Sequence, residues 1–143
     1  MSPRVGILVG SEADVPVLEG CTERLDGYGI EHEVEVRDVH ANPESVSEYA
    51  GTARERGLKV IFCAAGMSAH LAGAVASRTN LPVIGVPIAS GTLGGLDSLI
   101  SMVQTPEGAP VATVAVNGAA NAAVLAAQIL ALSDSDLAQR LEG

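Results

Sequence analysis

The chain has 143 residues, of which 48% are hydrophobic and 17% charged, a balance that excludes disorder and fibrous repeats and fits one compact domain. A net charge of −9 opposes recognition of phosphate backbones and anionic lipid, which needs clustered Lys and Arg, so neither nucleic acid nor membrane is expected as a partner. Aromatic residues make up 2% of the chain and Trp is absent, which removes base-stacking platforms and leaves a core of Ala, Val, Ile and Leu.

The first element is a buried strand, Arg4–Val9, running into a loop at Gly10-Ser11. A helix is expected from Val15 to Tyr28, with Asp14 as N-cap, Pro16 in its first turn and Gly29 beyond its end. Glu31–Val36 alternates glutamates with His32, Val34 and Val36, the pattern of a strand near an edge with one polar face. After the Asp38–Pro43 loop, Asn42-Pro43-Glu44 opens a helix to about Arg56, closed by Gly57. Leu58–Ala64 reads as a third strand, and Gly66–His70 leads into a helix to about Thr79. Leu81–Pro87 and Val111–Val116 are further strands, with a helix at Leu96–Val103 between them. An Ala-rich helix at Asn121–Leu132 and a short final helix capped at Ser133-Asp134 complete the chain. Apolar stretches are all broken before the roughly 20 residues needed to cross a bilayer. Cys21 and Cys63 are too few for a zinc cage and the N-terminus lacks a signal-like segment, so a cytoplasmic address is expected.

Strict alternation of strand and helix predicts an α/β fold, a three-layer α/β/α sandwich on a parallel sheet with right-handed crossovers. Ligands in such sheets gather at the carboxyl ends of the strands, so the loops Gly10–Asp14, Asp38–Asn42, Ala64–His70 and Pro87–Leu93 are expected to converge on one site.

Within those loops, Gly10, Ser11 and Asp14 offer small residues, a hydroxyl and amides at a helix start, although Glu12 would repel a phosphate. His40 and His70 both fall on the predicted rim, where an imidazole can move a proton near neutral pH. His32 lies within a strand. No His, Cys or carboxylate spacing suits a metal, and Ser68 is not a nucleophile elbow.

The chain resembles the PurE family, the phosphoribosylaminoimidazole carboxylases and 5-(carboxyamino)imidazole ribonucleotide mutases. The resemblance spans nearly all of it, carried by Gly10–Asp14, Asp38–Pro43, Gly66–Gly73 (GMSAHLAG), Leu81–Ser90, Leu96–Gln104 and Asn121–Leu130. It implies one PurE-like domain over residues 1–143, a flavodoxin-like sandwich, a homo-octamer with sites between subunits, and a reaction using neither metal nor organic cofactor. A carboxyl group would leave one position of an aminoimidazole ribonucleotide and join a ring carbon, with His40 handling the ring-carbon proton and His70 matching the His of the GGAAH-type loop. Ser11 and Asp14 match residues that hold phosphate and ribose. Gly10, Asp38, Ala41, Gly66, Met67, Ser68, Ser90 and Leu93 complete the expected substrate-binding set.

Several positions depart from that pattern. The family's Ser-Ala-His-Arg-Thr-Pro reads Asp38-Val39-His40-Ala41-Asn42-Pro43 here, so the phosphate-clamping Arg is replaced by Ala41. The second Ser of the GSxSD-type loop is Ala13, a usual glycine is Met67, and Glu107 takes a position that is often basic. The loop before Asn121 is also shortened. Lost Arg contacts and added carboxylates point to a divergent carboxylase or decarboxylase acting on a small carboxylated substrate other than the usual ribonucleotide, with carbon dioxide as second ligand. The alternatives are an authentic 5-(carboxyamino)imidazole ribonucleotide mutase, its phosphate held by backbone amides and an arginine such as Arg78 or one from a neighbouring subunit, and a non-catalytic small-ligand-binding assembly protein.

Overall fold

The computed structural model describes residues 3–143. Five parallel strands run β1 (Val5–Val9), β2 (His32–Val36), β3 (Val60–Gly66), β4 (Val83–Ile88) and β5 (Ala112–Thr113), in the spatial order 2-1-3-4-5. The helices are α1 (Glu19–Gly27), α2 (Pro43–Thr52), α3 (Leu71–Ala76), α4 (Leu96–Val103), α5 (Ala119–Ala131) and α6 (Ser135–Glu142). The expected flavodoxin-like sandwich is therefore the one observed. None of the described helices is long and apolar enough to cross a membrane.

Alternation along the strands builds the two faces. Ile7, Phe62 and Ile84 point toward Cys21 and Leu25 of α1, the alanines of α5 and Leu137 of α6. Leu8, Ile61 and Cys63 point the other way, toward Val46 and Tyr49 of α2, Val75 of α3 and Met102 of α4. Cys21 and Cys63 are buried, free and on opposite faces. Burial pushes both thiols up, Cys21 to about 12, so neither is a nucleophile.

Two helices end earlier than expected, α2 at Thr52 and α3 at Ala76, and three further elements differ from the sequence reading. Residues Glu12–Leu18 form a 3-10 segment capped by Ser11, and α1 starts only at Glu19, so Asp14 is not a helix cap. Pro16 has no N–H to give an α-helical ladder, and the tighter Asp14 N–H to Ser11 carbonyl bond (3.0 Å) sets the turn. The fifth strand is two residues long rather than Val111–Val116. Val114 donates to the Gly85 carbonyl and Asn117 to that of Pro87, three residues against two, so one extra residue bulges the pairing.

The third difference concerns β2. It is the edge strand expected, but its glutamates are the covered side: Glu33 accepts from the Tyr49 hydroxyl (3.2 Å) and from Arg56 (3.0 Å), and Glu35 pairs with Arg37. Val34 and Val36, on the other face, are about 40% exposed. Helix α2 lies over the edge on one face, whereas the α1/α5 layer leaves it partly open.

Gly6 of β1 sits beneath this network. A Cβ there would overlap the Tyr49 hydroxyl and lie 3.0 Å from Leu58. Gly6→Ala is expected to destabilise the protein by about 1–3 kcal/mol through overpacking, seen as a lower urea midpoint at unchanged m-value.

Candidate active site

A cleft of about 480 Å³ opens at the carboxyl ends of β1, β3 and β4. Its position follows from the strand order. From β1 the chain leaves to one side and toward one face, and from β3 toward the other, so the loops after these neighbouring strands separate.

The first wall is the turn after β1. Gly10 N–H donates to the Ala64 carbonyl (3.1 Å), tying the turn to β3. The extended Ser11 offers its hydroxyl oxygen to the Ala13 N–H at 3.3 Å. Asp14 follows on the 3-10 segment, and partial burial pushes its carboxyl pKa up.

The second wall carries His40. One Asp38 carboxylate oxygen accepts from the N–H of His40 (2.9 Å) and of Ala41 (3.3 Å), and Asn42 N–H returns to the Asp38 carbonyl (2.9 Å). Asn42 in turn caps α2 through Ser45 N–H (3.1 Å). Asp38 thus shapes the loop that presents His40, a backbone role the sequence reading did not assign to it.

The third wall is the turn from β3 into α3. Ala69 N–H closes it on the Gly66 carbonyl (3.1 Å), Met67 occupies a left-handed conformation (φ 53°), and His70 stands at the start of α3. Gly66 has a packing reason: a Cβ would overlap the Ser90 hydroxyl from the loop after β4. Across the cleft the His40 and His70 ring centroids are 6.5 Å apart and tilted by 34°.

Gly10, Ser11, Asp14, Asp38, His40, Gly66, Met67, Ser68, His70 and Ser90 all line the cleft, so the four loops do converge. Ala41 and Leu93 do not; Ala41 is exposed next to His40, and Leu93 is 62% exposed on its loop. Arg78 and Glu107 lie away from it. Helix α3 carries the chain from this rim to the opposite end of the sheet, where Arg78 and Gly108 share a surface pocket with Thr79 and Asn80, just ahead of β4. In this chain, Arg78 therefore cannot supply the missing cation, nor does Glu107 add charge at the cleft. Ala13, which the sequence analysis notes as a departure from the family motif, joins Val39, Ala65, Ala69 and Leu71, which it does not single out, in the apolar walls. Their only signal was adjacency to motif residues, since nothing chemical distinguishes an alanine facing a cleft from one facing a core.

Among the described residues, the charged side chains on the cleft are Asp14 and Asp38, and no Lys or Arg lines it. No group of three or more His, Cys, Asp or Glu among them is placed to hold a metal ion. The arrangement offers two imidazoles for proton transfer, hydroxyls at Ser11, Ser68 and Ser90, and turn amides.

Comparison with known proteins gives this arrangement a family. The family model described as AIR carboxylase matches residues 4–143. N5-carboxyaminoimidazole ribonucleotide mutase of Thermotoga maritima is 51% identical over 140 residues, covering 98% of this chain and 82% of that protein. The Bacillus subtilis mutase is 49% identical over 144 residues, with 99% and 89% covered. The crystal structure of Treponema denticola PurE superposes with a TM-score of 0.87 at 30% identity, covering 98% of this chain and 87% of that one. Matches on this scale, over a cleft that joins the same motif loops, show that the chain belongs to the AIR carboxylase (PurE) family.

Proposed function

We propose that the protein is a cofactor-independent enzyme that moves a carboxyl group between the amino nitrogen and a ring carbon of an aminoimidazole ribonucleotide. The observation that carries this reading is the His40 and His70 pair, 6.5 Å apart across a cleft built by the family's own loops. Identity near 50% to mutases over almost the whole chain favours it over the divergent non-nucleotide substrate suggested by the motif departures alone.

In the forward step the nitrogen–carboxyl bond of the carbamate breaks, carbon dioxide separates, and the bonding pair stays on nitrogen. The electron-rich ring carbon then attacks carbon dioxide, and that carbon loses its proton. The net change moves one proton from carbon to nitrogen and consumes nothing else. His40 accepts and returns this proton, while His70, at the start of α3, orients the carboxyl group together with turn amides of the 66–70 loop. Apolar walls from Val39, Ala65 and Leu71 exclude bulk water from free carbon dioxide.

His40→Asn is expected to leave the fold intact and lower turnover by roughly two to four orders of magnitude. Steady-state rates with far-UV circular dichroism check this, and near-normal turnover removes His40 from the mechanism.

A second reading, a carboxylase or decarboxylase of a substrate without phosphate, is favoured by one feature: the described cleft residues include no cation and two aspartates. A charge-assisted hydrogen bond lost with the Arg is worth about 1.5–3 kcal/mol. Offering N5-carboxyaminoimidazole ribonucleotide to the wild type and to an Asp38→Ser, Ala41→Arg variant separates the two. Mutase turnover by the wild type is the result expected; activity confined to the variant transfers the assignment to the second reading.

Assembly belongs to the same proposal. An octamer would bring cations of neighbouring copies to a cleft that has none of its own, and Leu96, Ile100 and Val103 leave an apolar stripe on α4 for such contacts. Light scattering is expected to give the octamer mass, whereas a concentration-independent monomer rules out a shared site.

A further inference from the structure

We infer that Met67 is a specificity-determining residue of this cleft, holding its thioether against one face of a planar heteroaromatic substrate ring and narrowing the mouth between two rim loops. The inference deepens the reading above and rests on it for the identity of the ring.

The backbone provides the first observation. Gly66–Ala69 is a turn closed by the Ala69 N–H on the Gly66 carbonyl (3.1 Å), and Met67, its second residue, has φ 53°. Turns with positive φ at this position take Gly, Asn or Asp, because a Cβ in the left-handed region crowds its own carbonyl. The other non-glycine residue with positive φ among those described is Asn117, whose short polar side chain tolerates the conformation. Methionine has no such tolerance, so its presence costs free energy in the folded state.

Nothing in the core repays that cost. Met67 is 60% exposed. Its side chain instead lines the cleft, and its Cγ lies 3.8 Å from where a Cβ on Gly91 would be. The side-chain stem therefore lies between the β3–α3 turn and the bare backbone of the loop after β4, on the side of the opening that Ser90 also lines.

The chemistry provides the second observation. Apart from the two imidazoles, no aromatic side chain lines the cleft, which holds no Phe, Tyr or Trp. Phe62 is buried between strands and helices, and Tyr49 is buried on the core side of α2. A flat, electron-rich ring lying between the two imidazoles meets serine hydroxyls, two carboxylates and small alkyl groups in the rest of the lining, and Met67 is the one sulfur-bearing side chain there to cover its face. Sulfur–aromatic contacts have that character, and an unbranched thioether adapts to the ring without a fixed shape.

Calorimetric titration of 5-aminoimidazole ribonucleotide into the wild type, Met67→Gly and Met67→Leu tests this, with the melting temperature and the mass of each variant measured alongside. Met67→Gly is expected to weaken binding by about two- to tenfold, and to raise KM more than it lowers kcat. Its melting temperature is expected to hold or rise, because relief of the left-handed residue offsets the extra unfolded-state entropy of glycine. Met67→Leu, which keeps the apolar body, is expected to stay within about threefold of the wild type. Wild-type affinity in Met67→Gly overturns the inference; with a fallen melting temperature or a changed mass, it assigns Met67 to packing or assembly. Failure of the wild type itself to bind the ribonucleotide overturns the parent reading and this one together, a result distinct from equal binding by wild type and variant.

Discussion

Everything functional in this protein depends on the point where neighbouring parallel strands send their chains to opposite faces. β1 and β3 are hydrogen-bonded side by side from Val5–Val60 to Val9–Ala64, yet the segment after β1 packs with α5 while that after β3 packs with α2. A flat sheet end cannot be covered by both departing loops, so a crevice opens there whatever the side chains are. Sequence then decides what the crevice can do, and here it places two imidazoles on its rim with hydroxyls and turn amides between them.

Rigidity of that rim is achieved by small, local means. Asp38 closes the His40 loop with two backbone hydrogen bonds, and Asn42 ties the same loop to the start of α2. On the other side of the cleft, Ser98 is buried at the beginning of α4, its single hydroxyl proton shared between the Ile88 and Gly95 carbonyls at 3.0 Å each. Asn117 accepts from the Ala89 N–H (3.0 Å), joining the end of β4 to the segment ahead of α5. Each contact satisfies a polar group near a strand end, where the ladder no longer does so. The glycines fit the same picture, since Gly66 leaves the space that the Ser90 hydroxyl fills.

Electrostatically the cleft is unusual for a site offered to a phosphorylated substrate. Arg4, Arg37 and Arg56 are committed to Asp134, Glu35 and Glu33, and Arg78 lies at the opposite end of the sheet. Relatives near 50% identity show how far the scaffold is shared, but they do not provide a cation where this chain has Ala41. On the proposed reading, affinity for phosphate comes from amides and hydroxyls, or from a neighbouring copy, and the proposed contact at Met67 shifts part of the binding from the phosphate to the ring.

The sequence alone determined the order of elements, the parallel sheet and the family, because buried parallel strands read as continuous apolar runs and the motif loops are contiguous in the chain. His40 and His70 were identifiable for the same reason: each follows a strand that the pattern marks clearly, and a loop after a parallel strand can only lie on one rim. Elsewhere, tertiary contacts decided. Pro16 and the Ser11 cap turned an expected helical start into a 3-10 segment, and a bulge against β4 cut the fifth strand short. The covered side of β2 depended on where α2 happened to lie, with Tyr49 and Arg56 drawn onto Glu33. The exclusion of Arg78, Glu107, Ala41 and Leu93 from the cleft is likewise invisible in a linear pattern. Periodicity reports which face a residue takes, but not which end of the sheet a loop reaches or how far its side chain extends, and those are set only when the helices pack.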